Sequence, residues 1–402
     1  MDPPRSPSPS VTSTINITNS FQLCIIFKSS FVDVTLHDPS LTSSQRASFL
    51  LNFTEVLKLH KIRCSRKFIQ SFANGLIVYT FYLDSIDMNV IHAFINDIKL
   101  MSLVPGSSMR QLFLRGSLSV EEYAYAASVR KFIYYFLNQR NEEFDVLARA
   151  LAADSANLGR LHMLSTRLRR EAVSPTRITQ AMFDEVSLLK ELYADFYRVC
   201  YGKEAPTYNT DLAQRITKMA KSEINKQILH AFLTFNSKLL KTNFWKSDKA
   251  ALSFSLDASF VEAASYPENP YIIFFVLTEE FQGFHVRFRD VSRGGIRVIK
   301  SANKTTFIKN LEGQFSENYD LALTQNRKNK DIPEYGSKGT ILLHKEAQEN
   351  VHLAFKKYVS AIIDLLGTTQ LIYLPTISVM PFHLDFIAIT RAPIFSHRSV
   401  WS

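Results

Sequence analysis

Two short basic stretches hold residue types that can grip and activate a small acid. In SRGGIRV the pair Gly294-Gly295 sits between Arg293 and Arg297. Paired glycines let the backbone approach a ligand closely, and an arginine can clamp a carboxylate through two parallel hydrogen bonds. In QNRKNKDIPEYGSKGT, Lys328 lies ten residues before Lys338, and Lys338 stands between Gly336 and Gly339. Two lysines on a bent segment can converge on one anion. A lysine crowded by other cations and partly desolvated gives up its proton more readily and can act as a general base.

A phosphate loop is a competing reading of the second stretch. It requires G-x-x-x-x-G-K-[ST]. Here Gly339 separates Lys338 from Thr340, and no glycine lies five residues before Gly336, so that reading is set aside. A turn leading into a strand is the plainest reading of IPEYGSKGTILL, and clustered Lys/Arg is most often a solvated face. The charge distribution favours more than that. Between Arg287 and Lys345 there are 12 Lys/Arg against 6 Asp/Glu, a net +6 of the whole chain's +10. Nucleic acid is not the expected partner. Such surfaces interleave exposed aromatics with basic residues, whereas Phe284, Phe288 and Phe307 fall at core-facing spacing.

The rest of the 402-residue chain must position these stretches. Composition is that of an ordinary globular chain, 46% hydrophobic and 21% charged, long enough for several domains. No run approaches a membrane span. Three scattered cysteines offer no metal spacing or disulfide framework. Residues 1–18 (MDPPRSPSPSVTST onward) read as a disordered tail without a convincing presequence, so a mitochondrial or cytoplasmic location is expected.

Residues 19–117 read β-α-β-β-α: QLCIIFKS, the helix SQRASFLLNFTEVLKLHKI, a hairpin turning at Ala73-Asn74-Gly75, and the helix NVIHAFINDIKLM. That order fits a split-βαβ sandwich. Residues 118–245 are helical, opened by a capping box from Ser119 to Glu122. Met182, Val186, Leu189, Tyr193 and Phe196 form one apolar stripe of a later helix. From 246 to 366 strands and helices mix. ALSFSLD, YIIFFVL and GFHVRFRDV are strands; helices are expected at Phe307–Phe315, Tyr319–Gln325 and Glu346–Leu366. In GFHVRFRDV, Phe284, Val286 and Phe288 face the core, opposite His285, Arg287 and Arg289. The fold class is therefore α+β / α/β.

Taken together, HVRFRDVSRGGIRV, ENYDLALTQNRKNKDIPEYGSKGTILL and AFKKYVSAIIDLL resemble the substrate domain of amino-acid dehydrogenases, most closely the large NAD-specific glutamate dehydrogenases of fungi and related eukaryotes. The FANGLIVYTFYL hairpin resembles that family's N-terminal ACT-like region. The resemblance is strong from about Leu240 to Leu366 and looser before it. It implies oxidative deamination of L-glutamate to 2-oxoglutarate and ammonium, with NAD as cofactor. It implies that Arg293 meets the side-chain carboxylate, Lys328 the α-carboxylate, and Lys338 activates the attacking water. Gly294, Gly295, Gly336 and Gly339 would let the backbone approach, and Arg297 would orient its loop. Expected partners are glutamate or 2-oxoglutarate, a homo-oligomer or co-assembly with a full-length subunit, and neither nucleic acid nor membrane.

Three departures accompany the resemblance. Tyr335 stands where the family loop has a second glycine, and a side chain there would distort a turn that needs φ > 0. The family's downstream catalytic aspartate has no counterpart, since Asp385 is the only acid after Leu366 and lacks the context. After Gly339 a single glycine, Gly367, remains, and a G-x-G-x-x-G nicotinamide turn cannot be written from it. No Rossmann domain is expected, residues 367–402 read as sequence foreign to the family, and the chain reads as truncated and inactive alone. The alternative is a non-catalytic carboxylate-binding or assembly subunit derived from the same family.

Overall fold

The computed structural model describes residues 12–13, 22–28, 31–37, 43–71, 77–84, 88–136 (105 and 107 apart), a few positions between 150 and 160, 174–202, 206–261 (247 apart), 266–328 and 334–367. It is a mixed α and β molecule.

The N-terminal part contains β1 (Gln22–Lys28) and β2 (Phe31–His37), then α1 (Ser43–Leu59). It continues with β3 (Cys64–Ser71), β4 (Ile77–Leu83) and α2 (Met88–Leu103). β2 is an addition to the expected order, which becomes β-β-α-β-β-α. FVDVTLH lacks the continuous apolar run of β1, and its pairing with β1 makes it a strand. Thr12–Ser13 pair with Ile25 and Ile26, inside the segment that reads as a tail. The expected Asn74-Gly75 turn lies outside the described residues. Phe49, Phe53 and Val56 of α1, Phe94 and Ile98 of α2, and Phe81 of β4 make the core of this part. The rings of Phe53 and Phe81 stack at 3.9 Å.

The middle is helical: α3 (Arg110–Leu114), α4 (Val120–Phe136), α5 (Pro175–Asp184), α6 (Val186–Tyr201), α7 (Thr210–Met219) and α8 (Glu223–Lys238). The capping box forms as the spacing requires. Ser119 N–H donates to Glu122 Oε2 at 2.7 Å, and Glu122 N–H to Ser119 Oγ at 3.1 Å. The stripe from Met182 to Phe196 belongs to two helices, not one. The break is at Glu185, whose carboxylate accepts from Lys221 N–H at 2.7 Å and from Asn225 Nδ2 at 2.9 Å.

One large sheet follows: β5 (Leu239–Thr242), β6 (Leu252–Leu256), β7 (Ile272–Leu277), β8 (Phe281–Arg287), β9 (Ser292–Arg293), β10 (Ile296–Ile299) and β11 (Tyr335–Leu343). β5 to β8 run antiparallel in sequence order, β8 pairs antiparallel with β11, and β9 and β10 pair parallel with the far edge of β11. Between β10 and β11 runs α9 (Lys304–Asn326), one 23-residue helix where two are expected from the sequence. Gly313 and the polar run after it do not break the helix, because Phe315, Tyr319 and Ala322 keep one buried face against the sheet. The last element is α10 (Val351–Gly367), preceded by a short 3-10 turn at Lys345–Ala347.

α9 and α10 cover opposite faces of β8 and β11. Phe284 meets Phe315 at 5.1 Å and Phe288 meets Tyr319 at 5.6 Å on the α9 face. On the α10 face the Tyr358 hydroxyl donates to Phe284 O at 2.8 Å. The expectation of a polar side on β8 is therefore corrected: every residue from Phe281 to Arg287 is buried. Burial, with the Arg287 charge beside it, lowers the His285 pKa to about 3, so this histidine is a neutral core residue. No helix among the described residues is long and apolar enough to cross a membrane, and no cluster of His, Cys, Asp or Glu among them could hold a metal ion.

Candidate functional site

The two basic stretches are neighbours in the sheet. Arg293 is opposite Gly336 and Ile296 is opposite Gly339, in one continuous parallel register. Gly294-Gly295 is the interruption between β9 and β10, and it falls beside Ser337 and Lys338. Gly339 N–H donates across it to Gly295 O at 3.2 Å. Lys338 is thus a strand residue, correcting the bent segment expected to carry it.

Strand alternation sets the direction of Lys338. A Cβ at Gly339 would meet the Tyr358 hydroxyl at 2.8 Å and His285 Nδ1 at 2.9 Å, on the α10 face. A Cβ at Gly336 would come within 2.2 Å of Asn326 N and 2.3 Å of Ala322 O, on the α9 face. Lys338, two residues after Gly336, issues on that same side. Its Nζ lies 3.7 Å from the position a Gly295 side chain would take.

The glycines divide into two kinds. Gly294, Gly336 and Gly339 face protein atoms; a Cβ on Gly294 would fall 1.5 Å from Ser337 O. Gly295 is exposed, and among the described residues, its chain neighbours apart, Lys338 Nζ is the sole atom within 4 Å of its missing Cβ. It is the glycine of the four that leaves open space beside the lysine. Tyr335 raises no backbone conflict. It lies in extended β11 with its ring 5.1 Å from the Arg289 guanidinium, and Lys61 is the one non-glycine residue with positive φ among those described.

Arg293 is exposed, and its Nη1 is 3.3 Å from the Glu334 carboxylate. Arg297 pairs with Glu317 of α9. Lys328 is exposed two residues beyond the end of α9. That helix end is tied to β11, since Gly336 N–H donates to Asn326 Oδ1 at 3.0 Å. Arg293, Gly294, Gly295, Gly336, Lys338 and Gly339 are therefore assembled by direct strand pairing, and Lys328 is delivered to the same end of β11 by α9.

Two contributors escaped sequence reasoning. Arg287, wholly buried, donates from Nη2 to Asp290 O at 2.8 Å and so holds the turn that presents Arg293. Burial lowers its pKa to about 10, where it remains charged. Glu334 is the other, and its place next to the YGSKG run is the available signal.

Residues 211–373 match the family described as "Bacterial NAD-glutamate dehydrogenase, catalytic domain". The chain is 40% identical to "Glutamate dehydrogenase 2" of Dictyostelium discoideum over 78% of its own length and 31% of that protein. It is 38% identical to the "NAD-specific glutamate dehydrogenase" of Neurospora crassa over 78% of this chain and 32% of that one. The corresponding figures for the protein of that name in Saccharomyces cerevisiae are 32%, 76% and 32%. The chain belongs to the NAD-specific glutamate dehydrogenase family. It spans about a third of the length of the curated relatives it matches. A match over 78% of the chain must include residues N-terminal to Leu240, where the sequence resemblance is loose.

Proposed function

We propose that this chain carries the dicarboxylate-binding part of the family reaction, L-glutamate + NAD⁺ + water giving 2-oxoglutarate, ammonium, NADH and a proton. The observation that carries the reading is the parallel pairing of β9 and β10 with β11, which puts Gly295 beside Lys338. Arg293 takes the side-chain carboxylate and Lys328 the α-carboxylate. Two cations on separate segments fix a dicarboxylate at both ends, which orients the carbon between them. Lys338, issuing beside the exposed Gly295 backbone, takes a proton from the water that attacks that carbon.

NAD is the family's cofactor and would accept the hydride. Among the described residues no glycine-rich turn at a helix N-terminus is present to take its diphosphate. The residues gathered on β9, β10 and β11 act on the dicarboxylate. We read the N-terminal part as an ACT-like unit, supported by its two hairpins and two helices, and a homo-oligomer or co-assembly with a longer subunit as the working state.

Calorimetry with glutamate and 2-oxoglutarate, run beside an assay for NADH formation, tests the reading. Saturable heat without NADH from the 402-residue chain is the expected result. Heat without turnover also fits a non-catalytic carboxylate-binding subunit. No heat for either ligand would leave only an assembly role.

A further inference from the structure

Glu268 lies just before β7, far in sequence from every site residue. Its carboxylate accepts from Asn326 Nδ2 at 3.2 Å and from Arg327 Nε and Nη2 at 2.8 and 2.7 Å. Its backbone is fixed independently. Glu268 N–H donates to Tyr319 Oη at 3.0 Å, and the Tyr319 hydroxyl donates to Glu268 O at 2.8 Å. Tyr319 is itself buried against the sheet, so Glu268 is a rigid anchor rather than a loose surface carboxylate.

The amide of Asn326 is used at both ends. Nδ2 holds Glu268, and Oδ1 accepts from Gly336 N–H at 3.0 Å. This joins the residue two before Lys328 to the residue two before Lys338. The approach is so close that a Cβ at Gly336 would stand 2.2 Å from Asn326 N. The Glu268–Arg327 ion pair is substantially exposed and contributes little to stability. Its geometric consequence is larger than its energetic one.

We propose that Glu268 and Asn326 are positioning residues that set the placement of Lys328 relative to Lys338 for a ligand carrying two carboxylates. The inference rests on the dicarboxylate reading above. Charge and position make opposite predictions for Glu268→Ala. Removing a negative charge from the basic end of α9 would by itself tighten anion binding. Releasing the end of α9 would weaken it.

The test is titration of 2-oxoglutarate into the full 402-residue chain, with melting temperature measured on each variant. Glu268→Ala should bind about tenfold more weakly, the order expected when a hydrogen bond to a charged group is weakened. Binding that is unchanged or tighter overturns the inference. Asn326→Asp sets two carboxylates against each other and should also weaken binding. The double variant Asn326→Asp with Glu268→Gln restores both the net charge and a donor facing an acceptor, and should recover wild-type affinity. A double variant no better than Asn326→Asp overturns the inference, and this pair decides the matter if Glu268→Ala melts lower. A wild-type chain that binds no 2-oxoglutarate overturns the dicarboxylate reading itself, and the inference falls with it.

Discussion

Lys338 and Gly295 are held side by side: the lysine Nζ lies 3.7 Å from the place where a Gly295 side chain would begin, and the next residue, Gly339, donates its N–H to Gly295 O at 3.2 Å. A general base needs open space beside it, and a missing side chain in an adjacent strand supplies that space without loosening the backbone. The pairing that holds the lysine in place is the same pairing that keeps the site open.

The two adjacent glycines should behave differently on substitution. In Gly294→Ala the new Cβ would overlap Ser337 O, a backbone atom that cannot move without parting the strands. A destabilisation of about 1–3 kcal/mol is expected, as for other overpacked sites. Gly295→Ala meets ordinary van der Waals distance and should fold with little loss. Denaturant unfolding of both variants checks the contrast, and the order of their midpoints is the decisive comparison.

Glu334 competes for Arg293. The pair is 3.3 Å apart and the arginine is more than half exposed, so its free energy is about 0.2–1 kcal/mol. Glu334→Gln should therefore raise affinity for 2-oxoglutarate by roughly 1.5-fold to fivefold. An unchanged or weaker affinity in the titration would show that Glu334 orients Arg293 instead of occupying it.

Lys131 of α4 reaches across to the sheet, where its Nζ donates to Gln282 Oε1 at 2.8 Å and lies 3.0 Å from His344 Nε2. Its ammonium end is enclosed, and burial, with Arg130 adding to it, lowers its pKa to about 7. The unfolded chain keeps this lysine protonated up to its ordinary value of 10.5. Between about 7 and 10.5 the unfolded state thus binds the extra proton, and stability rises with pH. His344, pushed down to about 3 by burial and the Lys131 charge, acts in a lower window, and Lys249, lowered to about 8 by burial, adds its own slope only above that value. Lys131→Met should flatten the rise between pH 7 and 8, which melting curves at those two values would show.

Much of this arrangement was legible in the residues. The capping box at Ser119 and the helical run ending at Leu366 are local signals, and local signals survive folding. SRGGIRV and YGSKG are legible because glycines beside Arg and Lys let backbone and cation approach one ligand together. Other features depend on contacts distant in sequence. Lys338 looks like part of a bent segment because nothing local says that Arg293 and Ile296 will flank it. His285 looks solvent-facing because alternation cannot reveal that a second helix, α10, covers its side of β8. α9 looks like two helices because Phe315 and Tyr319 bracket a polar run that only the sheet unites. Glu268 gives no sign at all: its partners are 58 and 59 residues away.

Whether Arg293 and Lys328 form one dicarboxylate site is tested most directly by calorimetric titration of 2-oxoglutarate into the wild-type chain and into Arg293→Ala and Lys328→Ala. One saturable site is expected in the wild type. Each variant should lose about 1.5–3 kcal/mol, roughly 10- to 150-fold in affinity, as expected for a charge-assisted hydrogen bond. Wild-type heat that persists unchanged in both variants, or no wild-type heat at all, would contradict the site.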